Sequence, residues 1–276
     1  MAWIQCNFFS TSLMRTVPIN VIIPTDRVMA DGTRQEAKAF KTLYLLHGIF
    51  GNYTDWVSGT RLQAWAQDKN IVVVMPSGEN RFYIDQDVPG EKYGTFIRKE
   101  LVDFTRKTFP LSHKREDTFI GGLSMGGYGA IINGFHAPEI FSAICALSPA
   151  TIFEDHFEQL EVGTADIFKS KKYFEMIFGD LDQVTGSGKD YVALAEGLAK
   201  SGKEKPKLYI ACGTEDFLFQ SNVVFKNKLI ELGFETTWIQ DAGDHDWIFW
   251  DTYIKKVLDW LPLGEESSGI SSGNVR

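Results

Sequence analysis

Short runs of apolar, β-branched residues recur along the chain, separated by stretches in which apolar residues return every three or four positions. The runs Trp3–Phe9, Val17–Ile23, Thr42–Leu46, Ile71–Met75, Thr118–Gly121, Ala143–Leu147, Lys207–Cys212 and Thr236–Gln240 predict eight strands. The central runs are continuously apolar, as parallel strands covered on both faces must be. The first two alternate more and lie close together, which suits an antiparallel hairpin at one edge. Between strands, Tyr93, Ile97, Leu101 and Phe104 place one buried stripe on a helix over Tyr93–Phe109. Trp250, Tyr253, Ile254, Val257, Leu258 and Leu261 do the same for a final helix over Trp247–Leu261. Strand–helix alternation of this kind predicts an α/β fold: a doubly wound, mostly parallel eight-stranded sheet with helices on both faces.

One stretch breaks the rhythm. Residues 151–205 are rich in charge and aromatics (Phe153, Phe157, Phe168, Tyr173, Phe174, Phe178) and hold no convincing strand. They are expected to form a helical insertion capping the site, within a single domain spanning residues 1–263. From Gly264 onward a Gly/Ser-rich tail is expected to be flexible.

Composition narrows the function. A 276-residue chain that is 44% hydrophobic can bury a large core, and its formal charge of −8 argues against nucleic acid or an anionic membrane as partner. A small-molecule substrate is expected instead, and a homo-oligomer is left open. Cys6, Cys145 and Cys212 are odd in number and two sit in apolar runs, so buried thiols are expected rather than a disulfide framework. The N-terminal segment lacks a basic stretch and a long apolar core, giving the expectation of a cytoplasmic protein without a signal peptide. No metal-ligand spacing is present, and Gly197–Lys203 misses a phosphate-binding loop because Glu204 stands where Ser or Thr is required. Neither metal nor cofactor is expected.

Against that background one motif carries chemistry. Gly122-Leu123-Ser124-Met125-Gly126 follows an apolar run and opens a small-residue helical pattern, the strand–turn–helix context that presents a serine hydroxyl on a sharp elbow. Gly269-Ile270-Ser271-Ser272-Gly273 fits the same spelling but lies in the tail, with no strand before it or helix after it.

A serine needs a base, and the base an orienting acid. Of the five histidines, His245 alone follows the nucleophile and sits just beyond a strand. The acid should hang from the end of Lys207–Cys212, where Asp216 is preferred over Glu215; Asp241, Asp244 and Asp246 are expected to cap the last helix or face solvent. Backbone N–H groups of Met125 and Ile49, with Phe50 in reserve, are candidates for an oxyanion hole. His47, behind a glycine at a strand end, is expected to brace the loop rather than catalyse. Phe50, Trp56, Phe82 and Tyr83 are candidate substrate contacts from their positions after strand ends.

The strings Leu45-Leu46-His47-Gly48, Gly51-Asn52, Asp55-Trp56, Met75-Pro76-Ser77-Gly78, Gly122–Gly127, Cys212–Asp216 and Gly243–Trp247 together resemble the esterase D group of α/β-hydrolases. Within it the chain is most similar to the bacterial tributyrin-esterase and feruloyl-esterase-like branch, over residues from about 5 to 262. The resemblance implies an α/β-hydrolase fold and a carboxylic ester hydrolase, with triad roles on Ser124, Asp216 and His245 and oxyanion donors at Ile49 and Met125. If Phe82 and Tyr83 contact substrate, a small acyl group beside an aromatic or sugar alcohol fits, and hydrolysis of short-chain acyl esters, acetyl to butyryl, is expected. S-formylglutathione hydrolases are similar but usually carry Thr-Cys where Phe50-Gly51 stand here. An S-formylglutathione hydrolase-like thioesterase and an acyltransferase using the same triad are the alternatives; mycobacterial antigen 85 mycolyltransferases share the layout but are secreted.

Overall fold

The computed structural model describes residues 1–29, 31–33, 39–152, 156–264 and 270. Phe153, most of the expected tail and all of the second Gly-x-Ser-x-Gly string except Ile270 lie outside the described residues.

Eight strands form one sheet: β1 (Ala2–Ser10), β2 (Arg15–Ile23), β3 (Thr42–Leu46), β4 (Val72–Pro76), β5 (Thr118–Leu123), β6 (Ala143–Leu147), β7 (Lys207–Gly213) and β8 (Thr236–Asp241). Their order is β1-β2-β4-β3-β5-β6-β7-β8. β1 and β2 form the antiparallel hairpin, β2 runs antiparallel to β4, and every pair from β4 to β8 is parallel. The Glu100 carboxylate accepts hydrogen bonds from Ser10, Thr11 and Ser12 at the hairpin turn and so fixes where the chain reverses.

The apolar runs are continuous because adjacent residues serve different cores. Tyr44, Val72, Val74, Ile120, Ile144 and Ile210 point to one face, whereas Leu43, Leu45, Val73, Phe119, Cys145 and Ala211 point to the other. The second face is covered by α1 (Asp55–Gly59), α2 (Leu62–Asp68) and the last helix, Trp247–Trp260, which contribute Trp56, Leu62, Trp250, Ile254 and Leu258. The first face is covered by α3 (Tyr93–Thr95), α4 (Val102–Thr108), α5 (Met125–His136), α6 (Lys171–Phe178), α7 (Tyr191–Lys200) and α8 (Phe219–Glu231). Trp247–Trp260 is α9.

The single helix predicted over Tyr93–Phe109 is interrupted by a π-helical turn at Phe96–Leu101. Counting apolar residues at a 3.6-residue period finds the buried stripe but not the wider turn within it. Between β6 and β7 the chain forms α6, α7 and short 3₁₀ turns, with no strand among the described residues of 151–205. None of the helices among the described residues is long and apolar enough to cross a membrane. The parallel strands all end along one edge, so the loops after β3, β4, β5, β6, β7 and β8 meet there.

Candidate active site

Ser124 stands between β5 and α5 with φ 52° and ψ −120°, a backbone conformation that L residues rarely adopt. The turn is held from both sides. The Ser124 N–H donates to the Leu147 carbonyl at 2.9 Å, and the Ser124 carbonyl accepts from Tyr128 and Ala150, each at 3.0 Å. The flanking glycines let strand and helix approach: a Cβ at Gly122 would strike the Gly126 carbonyl, and one at Gly126 would lie 2.5 Å from the Leu46 and His47 carbonyl oxygens. Those neighbours are backbone, so no rotamer change relieves the clash. Gly126→Ala is therefore expected to destabilise the protein by about 1–3 kcal/mol, read as a lower Tm. An unchanged Tm would mean that the elbow tolerates a wider separation.

Two loops bring partners to the serine. His245, after β8, places Nε2 3.0 Å from Ser124 Oγ, and its Nδ1 lies 2.9 Å from Asp216 Oδ2. Asp216 follows β7; its other oxygen accepts from the Leu218 N–H at 2.8 Å, and its side chain is fully buried. Burial alone would push the Asp216 carboxyl up. The hydrogen bond and charge of His245, the Leu218 N–H and the Ser148 hydroxyl outweigh it and hold the carboxyl below its usual range. An ionised Asp216 can only accept, so Nδ1 carries the ring proton and Nε2 is left as the acceptor facing Ser124.

Glu215 points elsewhere: it accepts from the Gly243 N–H and so ties the loop after β7 to the loop carrying His245. Asp246 caps α9 by accepting from Phe249 at 2.9 Å, and Asp241 accepts from the Tyr253 hydroxyl at 2.9 Å. Neither reaches the imidazole of His245.

The loop after β3 supplies the candidate oxyanion donors. The Phe50 N–H is already given to Asn80 Oδ1 at 2.8 Å, whereas no hydrogen bond from the Ile49 N–H or from Met125, the first residue of α5, occurs among the described residues. Ile49 and Met125 are thus the pair with N–H groups to offer. His47 braces this loop. Its Nδ1 donates to the Gly48 carbonyl at 2.7 Å and its Nε2 accepts from the Gly78 N–H at 2.8 Å. With both nitrogens occupied, and burial pushing its pKa down, the ring stays neutral and has no base to lend.

A cavity of about 1090 Å³ opens at Ser124. Ile49 and Met125 line it together with Phe82, Phe174, Tyr191, Leu218 and Phe225. Of the four candidate substrate contacts, Phe82 is the one in this lining. Trp56 is buried beneath the sheet edge, donating Nε1–H to the Leu46 carbonyl at 3.0 Å and packing edge-on against Trp247. Tyr83 is fully buried, its hydroxyl donating to the His47 carbonyl at 2.9 Å and its ring lying against Gly78 and Gly129. Phe50 is exposed and meets Phe168 edge-on at the rim, outside the cavity lining. Trp56 and Tyr83, like Phe50, do not line this cavity: the first two are buried, each with its polar atom bonded to the backbone at the end of β3. Sequence reading missed the α7–α8 side of the cavity, and Phe217, whose ring sits 4.7 Å from that of His245. An apolar residue directly after the acid was the available signal.

Residues 10–253 match the Esterase family. The chain is 41% identical over 262 residues, 95% of its length and 98% of the relative's, to an acetyl esterase of Caldicellulosiruptor saccharolyticus. Among solved structures, it is similar to the substrate-bound fluorophosphonate-binding serine hydrolase F of Staphylococcus aureus (31% identity, TM-score 0.82, covering 95% of this chain and 98% of that one). It is also similar to the S-formylglutathione hydrolase FrmB of the same organism (31% identity, TM-score 0.80, covering 95% and 99%).

Proposed function

The chain belongs to the Esterase family, and on that premise we propose that it cleaves esters of short acyl groups through an acyl-enzyme formed on Ser124. The observation that supports this is the line of Ser124, His245 and Asp216, with 3.0 and 2.9 Å between successive polar atoms. In this reading Nε2 of His245 takes the Ser124 proton as Oγ attacks the ester carbonyl. Asp216 holds the ring in the tautomer that can do so and stabilises the imidazolium that forms. The N–H groups of Ile49 and Met125 receive the negative charge that develops on the carbonyl oxygen; such a donor is worth roughly 3–4 kcal/mol in the transition state. His245 then hands the proton to the departing alcohol and activates water for deacylation.

A short acyl group is favoured by the 41% identity to an acetyl esterase. The alcohol is assigned to the largely apolar cavity along Phe82, Phe174 and Phe225, which is far larger than an acetyl group requires. Benzyl acetate and ethyl acetate have leaving groups of similar basicity and differ in apolar area. Burying the ring should raise kcat/KM for the benzyl ester at least tenfold; equal values would remove the alcohol from this cavity. The mechanism itself is tested by quenching a burst with p-nitrophenyl acetate and mapping the modified peptide. One acetyl group on Ser124 is expected, and a label on any other residue would refute the proposal.

A second reading, thioester hydrolysis of S-formylglutathione, is favoured by the similarity to FrmB and opposed by Phe50-Gly51 in the oxyanion loop. A kcat/KM for S-formylglutathione above that for p-nitrophenyl acetate would reverse the order.

A further inference from the structure

Ser148 follows β6 immediately and has φ 44°, a left-handed conformation in a fully buried residue that precedes Pro149. Glycine would meet the backbone requirement without strain, so whatever maintains the strain resides in the side chain. The backbone is pinned by its N–H, which donates to the Ala211 carbonyl at 2.7 Å and ties the end of β6 to that of β7. The hydroxyl oxygen accepts from Trp250 Nε1 at 3.3 Å. That bond uses one lone pair of the oxygen and leaves its proton to be given away. Two acceptors are in reach: the Cys212 sulfur and the Asp216 carboxylate. A carboxylate is much the stronger acceptor. Burial pushes the Cys212 thiol up, so it too stays protonated beside the same acid.

We propose that Ser148 is a positioning residue for the esterase reaction, its hydroxyl held by Trp250 so that its proton is directed at Asp216 and fixes the carboxylate for His245. Hydrogen bonds of 3.3, 2.9 and 3.0 Å join Trp250 to Ser148, His245 to Asp216 and His245 to Ser124; the link from Ser148 to Asp216 is the one the proposal adds, and the Trp250 ring also stands edge-on to His245 at 4.9 Å. The groups facing the carboxylate are His245 from the loop after β8, Ser148 from the loop after β6, Cys212 from β7 and the Leu218 N–H. Glu215 is turned toward Gly243. The inference rests on the acyl-enzyme reading, with Asp216 as its acid.

Ser148→Ala removes the hydroxyl and retains the strain; Ser148→Gly removes both and is compatible with the native φ. If the hydroxyl positions the acid, kcat falls roughly tenfold in both variants while KM changes less than twofold. The carboxylate, short of one donor, holds the ring proton more strongly, so the acidic limb of the kcat/KM–pH profile moves to higher pH in both. Wild-type kcat in Ser148→Ala, recovery of wild-type kcat in Ser148→Gly, or a fall in kcat with the limb unmoved would each overturn the proposal by leaving Ser148 a backbone or packing role. Ser124→Ala separates this from failure of the underlying reading: if that variant still turns over, the acyl-enzyme mechanism is wrong; if it is inactive and Ser148→Ala is not, only the role of Ser148 falls.

Discussion

Ser124→Ala is expected to lower kcat for p-nitrophenyl acetate by about 10⁶, with the circular dichroism spectrum unchanged. The loss should be that large because the three side chains act as one unit. Without Oγ there is no acyl-enzyme, and His245, oriented by Asp216, has no hydroxyl proton to take. For the same reason the double variant Ser124→Ala/His245→Ala should be no slower than the single one. The residue of catalysis in both, roughly 10³–10⁴ over water, would come from the Ile49 and Met125 N–H groups and from substrate binding. Ser124→Gly adds a second readout. The native φ of 52° is free of strain for glycine, so the variant should be as inactive yet more stable by about 1 kcal/mol, a Tm rise of about 2–4 °C for a chain of this size. Turnover within tenfold of wild type in Ser124→Ala would displace the nucleophile from this residue.

How much of this was legible in the sequence depends on whether the deciding interaction is local. The elbow was legible because its requirements are local: an apolar run, small residues flanking the serine and a helical pattern after it. His245 and Asp216 were found by topology, since loops following parallel strands converge on one edge wherever they fall in the chain. The choice of Asp216 over Glu215 likewise needed only that adjacent side chains diverge, and the structure sends Glu215 to Gly243. The pocket was less legible. Trp56, Phe82 and Tyr83 follow strand ends alike, but which face of an aromatic ring meets the cavity is fixed by packing against Trp247, Phe174, Gly78 and Gly129, and those partners lie up to nearly two hundred positions away. The strained Ser148 was invisible for a related reason: a left-handed φ at a non-glycine residue has no spelling, and its partners Trp250 and Ala211 come from other strands and helices.

Asp216→Asn is the second large effect, about 10⁴ in kcat, although the two side chains have nearly the same shape. The argument turns on which end of the amide faces the ring. The Leu218 N–H donates to one oxygen of Asp216 at 2.8 Å, and the Ser148 hydroxyl lies beside the same group. The Leu218 N–H is a donor, so the asparagine must present its oxygen to it and its NH₂ to His245. Nδ1 must then accept, which moves the ring proton to Nε2, opposite the Ser124 hydroxyl. Two donors face each other 3.0 Å apart and no base remains. KM should hardly move, because residue 216 is buried and does not line the cavity. The wild-type enzyme should show a low-field Nδ1–H proton resonance that the variant lacks. Glu215→Gln is the contrast: the glutamine oxygen still accepts from Gly243, so activity should stay within roughly fivefold. Should Glu215→Gln cost as much as Asp216→Asn, the tie between the two loops rather than the charge on residue 216 would be what orients the imidazole.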